Sequence, residues 1–241
     1  LEEEGLKSRL AYKDKIDAIF SDESSANLSK TDTEMLLSTM YVFYAKKVYD
    51  GIDSKKVKEM GWFLPRKNLS YENLLDSLLS DPKLLRKNEQ QLFGQYYKLR
   101  DVLKKYRQIE KNGGWNPIAI DSLEKTYKPS DSSKTIGQIR QRLALTGDLK
   151  LDSKSNVYDE ELMAGILNYK KRNGFNTDYL IASKHIQRMN IPIENYIKTI
   201  IANMERCRWI DPKLTKTDEY NIINIPSYQF FFKKNGQNEL E

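Results

Sequence analysis

Apolar residues recur at helical spacing along most of this chain, and the period changes to strand-like runs only after Trp209. That single switch limits the fold to a helical body followed by a little β structure. At 39% hydrophobic, the 241 residues can bury a real core, so the chain is not disordered. The 31% charged content and mean hydropathy of −0.70 fit helices with long solvated faces. No apolar run approaches the roughly 18 residues that a membrane span needs.

Individual helices can be placed. Thr31-x-x-Glu34 reads as a capping box, with Leu36, Leu37, Met40, Tyr41, Tyr44 and Val48 at helical spacing behind it and Gly51 as the stop. Met60–Asn68 reads as a loop and Ser70–Leu79 as a helix. A longer helix is expected over Asn88–Asn112, ended by Gly113–Gly114. Trp115–Ser133, rich in Pro, Ser and Asp, reads as a linker. Three helices are then predicted, Lys134–Thr146, Asp159–Asn173 and Asp178–Met189, around Ile136, Ile139, Leu143, Leu162, Ile166 and Tyr169. Pro192 opens a last helix carrying Ile193, Ile197, Ile200, Ile201 and Met204. Tyr220–Ile225 and Ser227–Lys233 are predicted strands, and Asn235–Gly236 is a turn signal.

Several chemistries are excluded. One Cys and one His rule out a disulfide within the chain and a zinc site built on several such ligands. No Gly-rich phosphate loop is present, so no nucleotide cofactor is expected. The net charge of +6 is dispersed in short clusters such as Arg66–Lys67 and Lys170–Lys171–Arg172. Without a basic stripe or a recognition motif, nucleic acid is not an expected partner. Cys207 sits between two arginines, which can stabilise a thiolate but cannot accept its proton; a packed residue at a helix end is the expectation. His185 is expected on the surface or partly packed on its helix. Glu160 and Glu161 are adjacent, so they diverge on a helix and do not form an acid–base pair.

Three pieces in order carry a resemblance. They are Gly113–Gly114–Trp115 after a long helix; Ile139-Arg140-Gln141-Arg142-Leu143 with Gly147-Asp148 and Tyr158-Asp159; and Asn203-Met204-Glu205-Arg206-Cys207-Arg208-Trp209 with Tyr220 and Asn224 to Tyr228. Together with Thr31–Asp53, they resemble the large YkuD-type L,D-transpeptidases of Gram-negative envelopes. The likeness implies a mainly α fold: a helical scaffold domain with a small three-helix peptidoglycan-binding-like module, ending in a short β-hairpin. The implied divisions are an N-terminal segment (1–29), the scaffold domain (30–130 and 191–212), the module (131–190) and the start of a catalytic β domain (219–241).

The family's catalytic apparatus pairs an upstream His with a Ser-His-Gly-Cys type segment. That apparatus is absent from these residues, so no catalytic residue is expected in this chain. The sequence is expected to stop inside the first hairpin of the catalytic domain, with the whole protein an L,D-transpeptidase. The implied role is a non-catalytic scaffold that positions substrate in peptidoglycan cross-linking, in the periplasm or envelope. Expected partners are peptidoglycan and the catalytic domain in cis; no metal or other cofactor is expected.

The glycan-binding candidates are Tyr169, Arg172, Asn173 and Asp178, which stand where the family's module shapes its groove. Its Asp-Gly turn is missing here, and Ile181-Ala182-Ser183-Lys184 replaces its glycine segment. Direct glycan binding and a purely structural or docking role both remain open for the module. Trp209 and Tyr228 are the candidate interdomain residues. The alternative to the whole reading is a helical protein–protein adaptor of the envelope that binds no glycan.

Overall fold

A computed structural model describes residues 1–6, 12–21, 28–63, 69–86, 92–120, 125–215, 217–224 and 228–240. Residues 64–68 of the expected loop, 88–91 at the expected helix start, and 225–227, which end the first expected strand and begin the second, lie outside the described residues. The fold is mainly helical with a small antiparallel sheet near the C-terminus. In chain order the helices begin with α1 (Lys13–Phe20), α2 (Lys30–Ala45), α3 (Ser54–Glu59), α4 (Tyr71–Ser80) and α5 (Gln95–Lys111). There follow β1 (Thr126–Tyr127), α6 (Lys134–Thr146), α7 (Glu160–Arg172), β2 (Ile181–Ala182), α8 (Ser183–Met189) and α9 (Ile193–Trp209). The chain ends in β3 (Glu219–Asn224), β4 (Gln229–Lys234) and β5 (Gln237–Leu240). Two compact units result: Leu1–Lys104 with Thr199–Glu241, and Lys105–Lys198.

In the first unit, α2 starts one turn-fragment earlier than its sequence suggests. Ser29, in extended backbone, caps it by accepting from the Asp32 N–H at 3.1 Å, and its hydroxyl donates to the Asp32 carboxylate at 2.7 Å. The expected Thr31–Glu34 box is therefore not used; Ser29 and Asp32 already satisfy the free end, and Thr31 lies inside the helix. The end of α2 widens into a π-helical turn, Lys46–Asp50, which buries the consecutive residues Val48 and Tyr49. Gly51 then reverses the chain at φ 67°, where a Cβ would strike the Glu205 carboxylate. Ser70 caps α4 as expected, accepting from the Asn73 N–H at 3.2 Å.

The N-terminal segment is part of this unit. Glu4 is buried among Tyr44, Tyr96 and Arg208. The Tyr96 hydroxyl donates to the Glu4 carboxylate, and Arg208 Nη2 donates to the Glu4 carbonyl at 2.7 Å and to the Tyr96 oxygen at 3.1 Å. Arg208 Nε reaches the Val48 carbonyl at 2.8 Å, and Nη1 pairs with Glu205 at 2.9 Å. One fully buried guanidinium thus ties α9 to the wide turn and to the first residues of the chain.

The C-terminal strands form a three-stranded antiparallel meander in the order β3-β4-β5, one strand more than the expected hairpin. Ile222 faces Phe231 and Ile223 faces Phe230 across the first pair. Asn235 and Gly236, both at positive φ, make the tight turn into β5 that Asn-Gly predicts.

The second unit has its own core, in which all six predicted residues (Ile136, Ile139, Leu143, Leu162, Ile166 and Tyr169) are buried together. Ser133 caps α6 through the Ile136 N–H at 3.2 Å, and Asp159 caps α7 through the Leu162 N–H at 2.9 Å. Gly147 closes α6 in the left-handed region at φ 83°. Within the stretch expected to be a linker, of which residues 121–124 lie outside the described residues, Ile118 and Tyr127 are buried in this core, and β1 pairs with β2. The Asn190 amide holds the stretch in place, accepting from the Ile118 N–H at 2.8 Å and donating to the Ile118 carbonyl at 2.9 Å.

Candidate functional site

The second unit places two arginines of α6 on its apolar side, because Arg140 and Arg142 lie three or four residues from the core positions Ile136, Ile139 and Leu143. Arg140 is fully buried and makes four hydrogen bonds. It donates to Asp159 at 2.6 Å, to Glu161 at 3.0 Å, and to the carbonyls of Ser155 and Val157 at 3.1 and 2.9 Å. Its charge is matched by two carboxylates, so it is a structural clasp between α6 and the start of α7.

Arg142 differs. It is only 4% exposed, and its hydrogen bonds go to neutral groups: the Met189 carbonyl from Nη1, and the Asn116 carbonyl at 2.8 Å from Nη2. Among the described residues, no carboxylate lies within ion-pair distance of it. Its guanidinium lies 4.4 Å from the centre of the Trp115 ring, a cation–π contact. Burial pulls the group down to about 10, so it stays charged at neutral pH.

Trp115 is fixed from both sides. Its indole N–H donates to the Ile191 carbonyl at 3.2 Å, and its ring meets Tyr106 and Tyr196 edge-on at 6.1 and 5.8 Å. Beside it opens a cleft of about 530 Å³, in the size range of small-molecule sites. Trp115, Arg142, Asn116, Gln138, Gln141 and Asp152 line it. A partly buried indole, side-chain amides and an unmatched cation can together hold a polar molecule with an acidic group.

The sequence-predicted glycan residues are not among those lining this cleft, and each has partners within the second unit. Tyr169 is buried, its hydroxyl donating to the His185 carbonyl at 3.2 Å. Arg172 grips the buried Asp148 with two bonds of 2.8 and 2.6 Å, which raises its already high pKa further. Asn173 donates to the Tyr169 carbonyl at 2.9 Å. Asp178 accepts from the buried Lys170 ammonium and from the Leu180 N–H, and the ammonium holds its carboxyl below the usual range. Tyr169 and Arg172 share a small notch with Trp115 and Arg142; Asn173 and Asp178 do not line it. In the first unit, Trp209 is 7% exposed, stacks edge-on against Trp62 at 5.4 Å and donates to Glu205 at 2.9 Å. Tyr228 is 96% exposed at positive φ.

Two further expectations are corrected or refined. His185, expected on the surface or partly packed, is buried at 5% exposure. Its Nδ1 accepts from the Ala182 N–H at 2.9 Å, capping α8, and burial with two neighbouring lysines lowers its pKa to about 4. Cys207 is buried, and burial pushes its thiol up to about 11. Among the described residues, no cluster of His, Cys, Asp or Glu is grouped to hold a metal ion, and no helix is long and apolar enough to cross a membrane.

Residues 1–103 match a family model, the Scaffold domain. The matched stretch runs from the first residue through α2, the wide turn and the first half of α5. This part of the chain is similar to a scaffold domain, and the Arg208–Glu4 network lies partly within the matched residues. No curated protein matches the chain.

Proposed function

We propose that this chain is the non-catalytic, substrate-positioning region of a cell-wall L,D-transpeptidase-like protein acting in peptidoglycan cross-linking. The observation that carries the reading is the scaffold-domain match over residues 1–103, where the sequence also resembles the scaffold of that enzyme family. The rigidly built second unit, with an open cleft beside Trp115, supports a positioning role. In this reading the whole protein is an L,D-transpeptidase of the periplasm or envelope. Its nucleophile belongs to a YkuD-type domain in cis. Cys207 is a poor nucleophile, because its thiol is buried and raised to about 11 with only arginines beside it in sequence.

Co-sedimentation with purified sacculi tests the proposal. Pelleting that persists at high salt is expected, because shaped contacts outlast screening whereas a dispersed +6 charge does not. Pelleting abolished by moderate salt, or none at all, would favour the envelope adaptor that binds no glycan. The chain alone is expected to release no product from a tetrapeptide stem, with or without Cys207→Ala.

A further inference from the structure

Two hollows of the first unit share a wall, the Gly51–Asp53 segment. The larger, of about 640 Å³, carries Lys46 and Lys47 beside Phe43 and Leu69. The smaller, of about 360 Å³, carries Lys56 and Glu205. Their common wall is braced from three sides. The Glu205 carboxylate accepts from the Ile52 N–H at 2.6 Å, Asp50 accepts from the Tyr71 hydroxyl, and Asp53 accepts from the Lys55 N–H at 2.9 Å. The π-helical turn sets the charges: with Val48 and Tyr49 both turned inward, Lys46 and Lys47 are left consecutive and exposed.

The two signs of charge in these walls are not equally engaged. Glu205 also accepts from the Trp209 indole and from Arg208, each at 2.9 Å, and Asp50 and Asp53 hold the bonds just named. The ammoniums of Lys46 and Lys56 have neither an ion pair nor a hydrogen bond among the described residues. Lys47 lies over the Phe43 ring, 5.9 Å from its centre. Cations are therefore what the hollows offer. A phosphate site would add backbone N–H donors, but those of Ile52 and Lys55 are already taken by Glu205 and Asp53. Point-charge ammoniums beside Phe43, Leu69 and the exposed Ile52 suit carboxylates set among apolar side chains.

We propose that this double hollow is the docking site of a protein partner that inserts an acidic segment with apolar side chains. One carboxylate meets Lys46 and Lys47, a second meets Lys56, and an apolar side chain packs on Phe43 and Ile52. Glycan plays no part in this docking, which is therefore independent of the cell-wall reading.

The test is fluorescence anisotropy of a labelled peptide, Asp-Glu-Leu-Phe-Asp-Glu, titrated with the full chain. Asn-Gln-Leu-Phe-Asn-Gln removes its charge, and Asp-Glu-Gly-Ser-Asp-Glu removes its apolar side chains. The first peptide should bind, and both controls should bind at least about tenfold more weakly. Lys46→Glu and Lys56→Glu, at exposed positions, should melt like the native chain and each weaken the first peptide about tenfold. Lys58→Glu makes the same charge change on an exposed residue that lines neither hollow, and should alter binding by less than about twofold. Equal weakening by Lys58→Glu would reduce the effect to overall charge and overturn the proposal. So would failure of the acidic peptide to bind, equal binding of either control, or ready displacement by pyrophosphate, which would mark a phosphate site. Each of these results leaves the outcome with sacculi untouched.

Discussion

The guanidinium of Arg208 donates to the backbone carbonyl of Glu4 at 2.7 Å, joining two residues 204 positions apart. The same side chain holds Tyr96, Glu205 and the Val48 carbonyl. Replacing it by Met should destabilise the protein by about 3–5 kcal/mol, since several buried acceptors lose their donor together. Removing residues 1–6 should cost less, and the two changes together should cost less than their sum. Additive losses in denaturant melts would show that Arg208 and the first residues act independently.

Arg140 gives a second stability prediction, in the other unit. Its fork reaches two carboxylates and two carbonyls at once, a geometry that a point charge cannot copy. Arg140→Lys should therefore lose about 2–4 kcal/mol, most of what Arg140→Met loses. Full rescue by Lys, read by thermal unfolding, would mean that charge alone matters there.

His185 should make stability depend on pH. Its folded value of about 4 lies below the ordinary 6.5, so between these limits the unfolded chain takes up a proton that the folded chain refuses. The stabilising share is complete above pH 6.5 and is lost as pH falls toward 4, amounting to about 3 kcal/mol at most. Protonating Nδ1 would also break its bond from the Ala182 N–H. His185→Gln should flatten the profile in this window; an unchanged slope would assign it to other groups.

The Asn190 amide braces Ile118 by two hydrogen bonds, like a rung of a sheet. Asn190→Ala should cost about 1–3 kcal/mol by leaving both backbone groups short of a partner. Faster amide exchange at Ile118 than at Ile139 in the variant is the expected local signature. Uniform acceleration across the unit would indicate a global effect instead.

Cys207 should resist thiol reagents in the native protein and react on unfolding, because burial both shields the sulfur and raises its pKa to about 11. Rapid native labelling at pH 8 would contradict its burial.

Much of the helical body was legible from spacing. The limits of α6 and its core positions follow from a strict apolar period that only a helix satisfies. The burial of Ile118 and Tyr127 was not legible, because they are single anchors that follow no apolar period. The cap of α2 was misplaced because two hydroxyl–carboxylate pairs overlap there, and only backbone angles separate Ser29 from Thr31. The cleft could have been suspected from one sign: Arg142 falls three residues after Ile139 and beside Leu143, on a face that should be apolar. Its meeting with Trp115 could not, since no spacing links residues on a loop and a helix. The bonds from Tyr169 to the His185 carbonyl and from Arg172 to Asp148 were not legible either, because they join separate elements that no spacing relates.

The wide turn at Lys46–Asp50 has a consequence for how this scaffold can vary in length. It holds one residue more than an α-helical turn would, so Val48 and Tyr49 can both face inward. Deleting any one of its residues would restore an ordinary turn with no lost helical hydrogen bond. Yet it would rotate everything before it by about 100° relative to Gly51. The span between Ser29 and Gly51 is thus locked to a single length, while insertions remain tolerable at loop tips elsewhere.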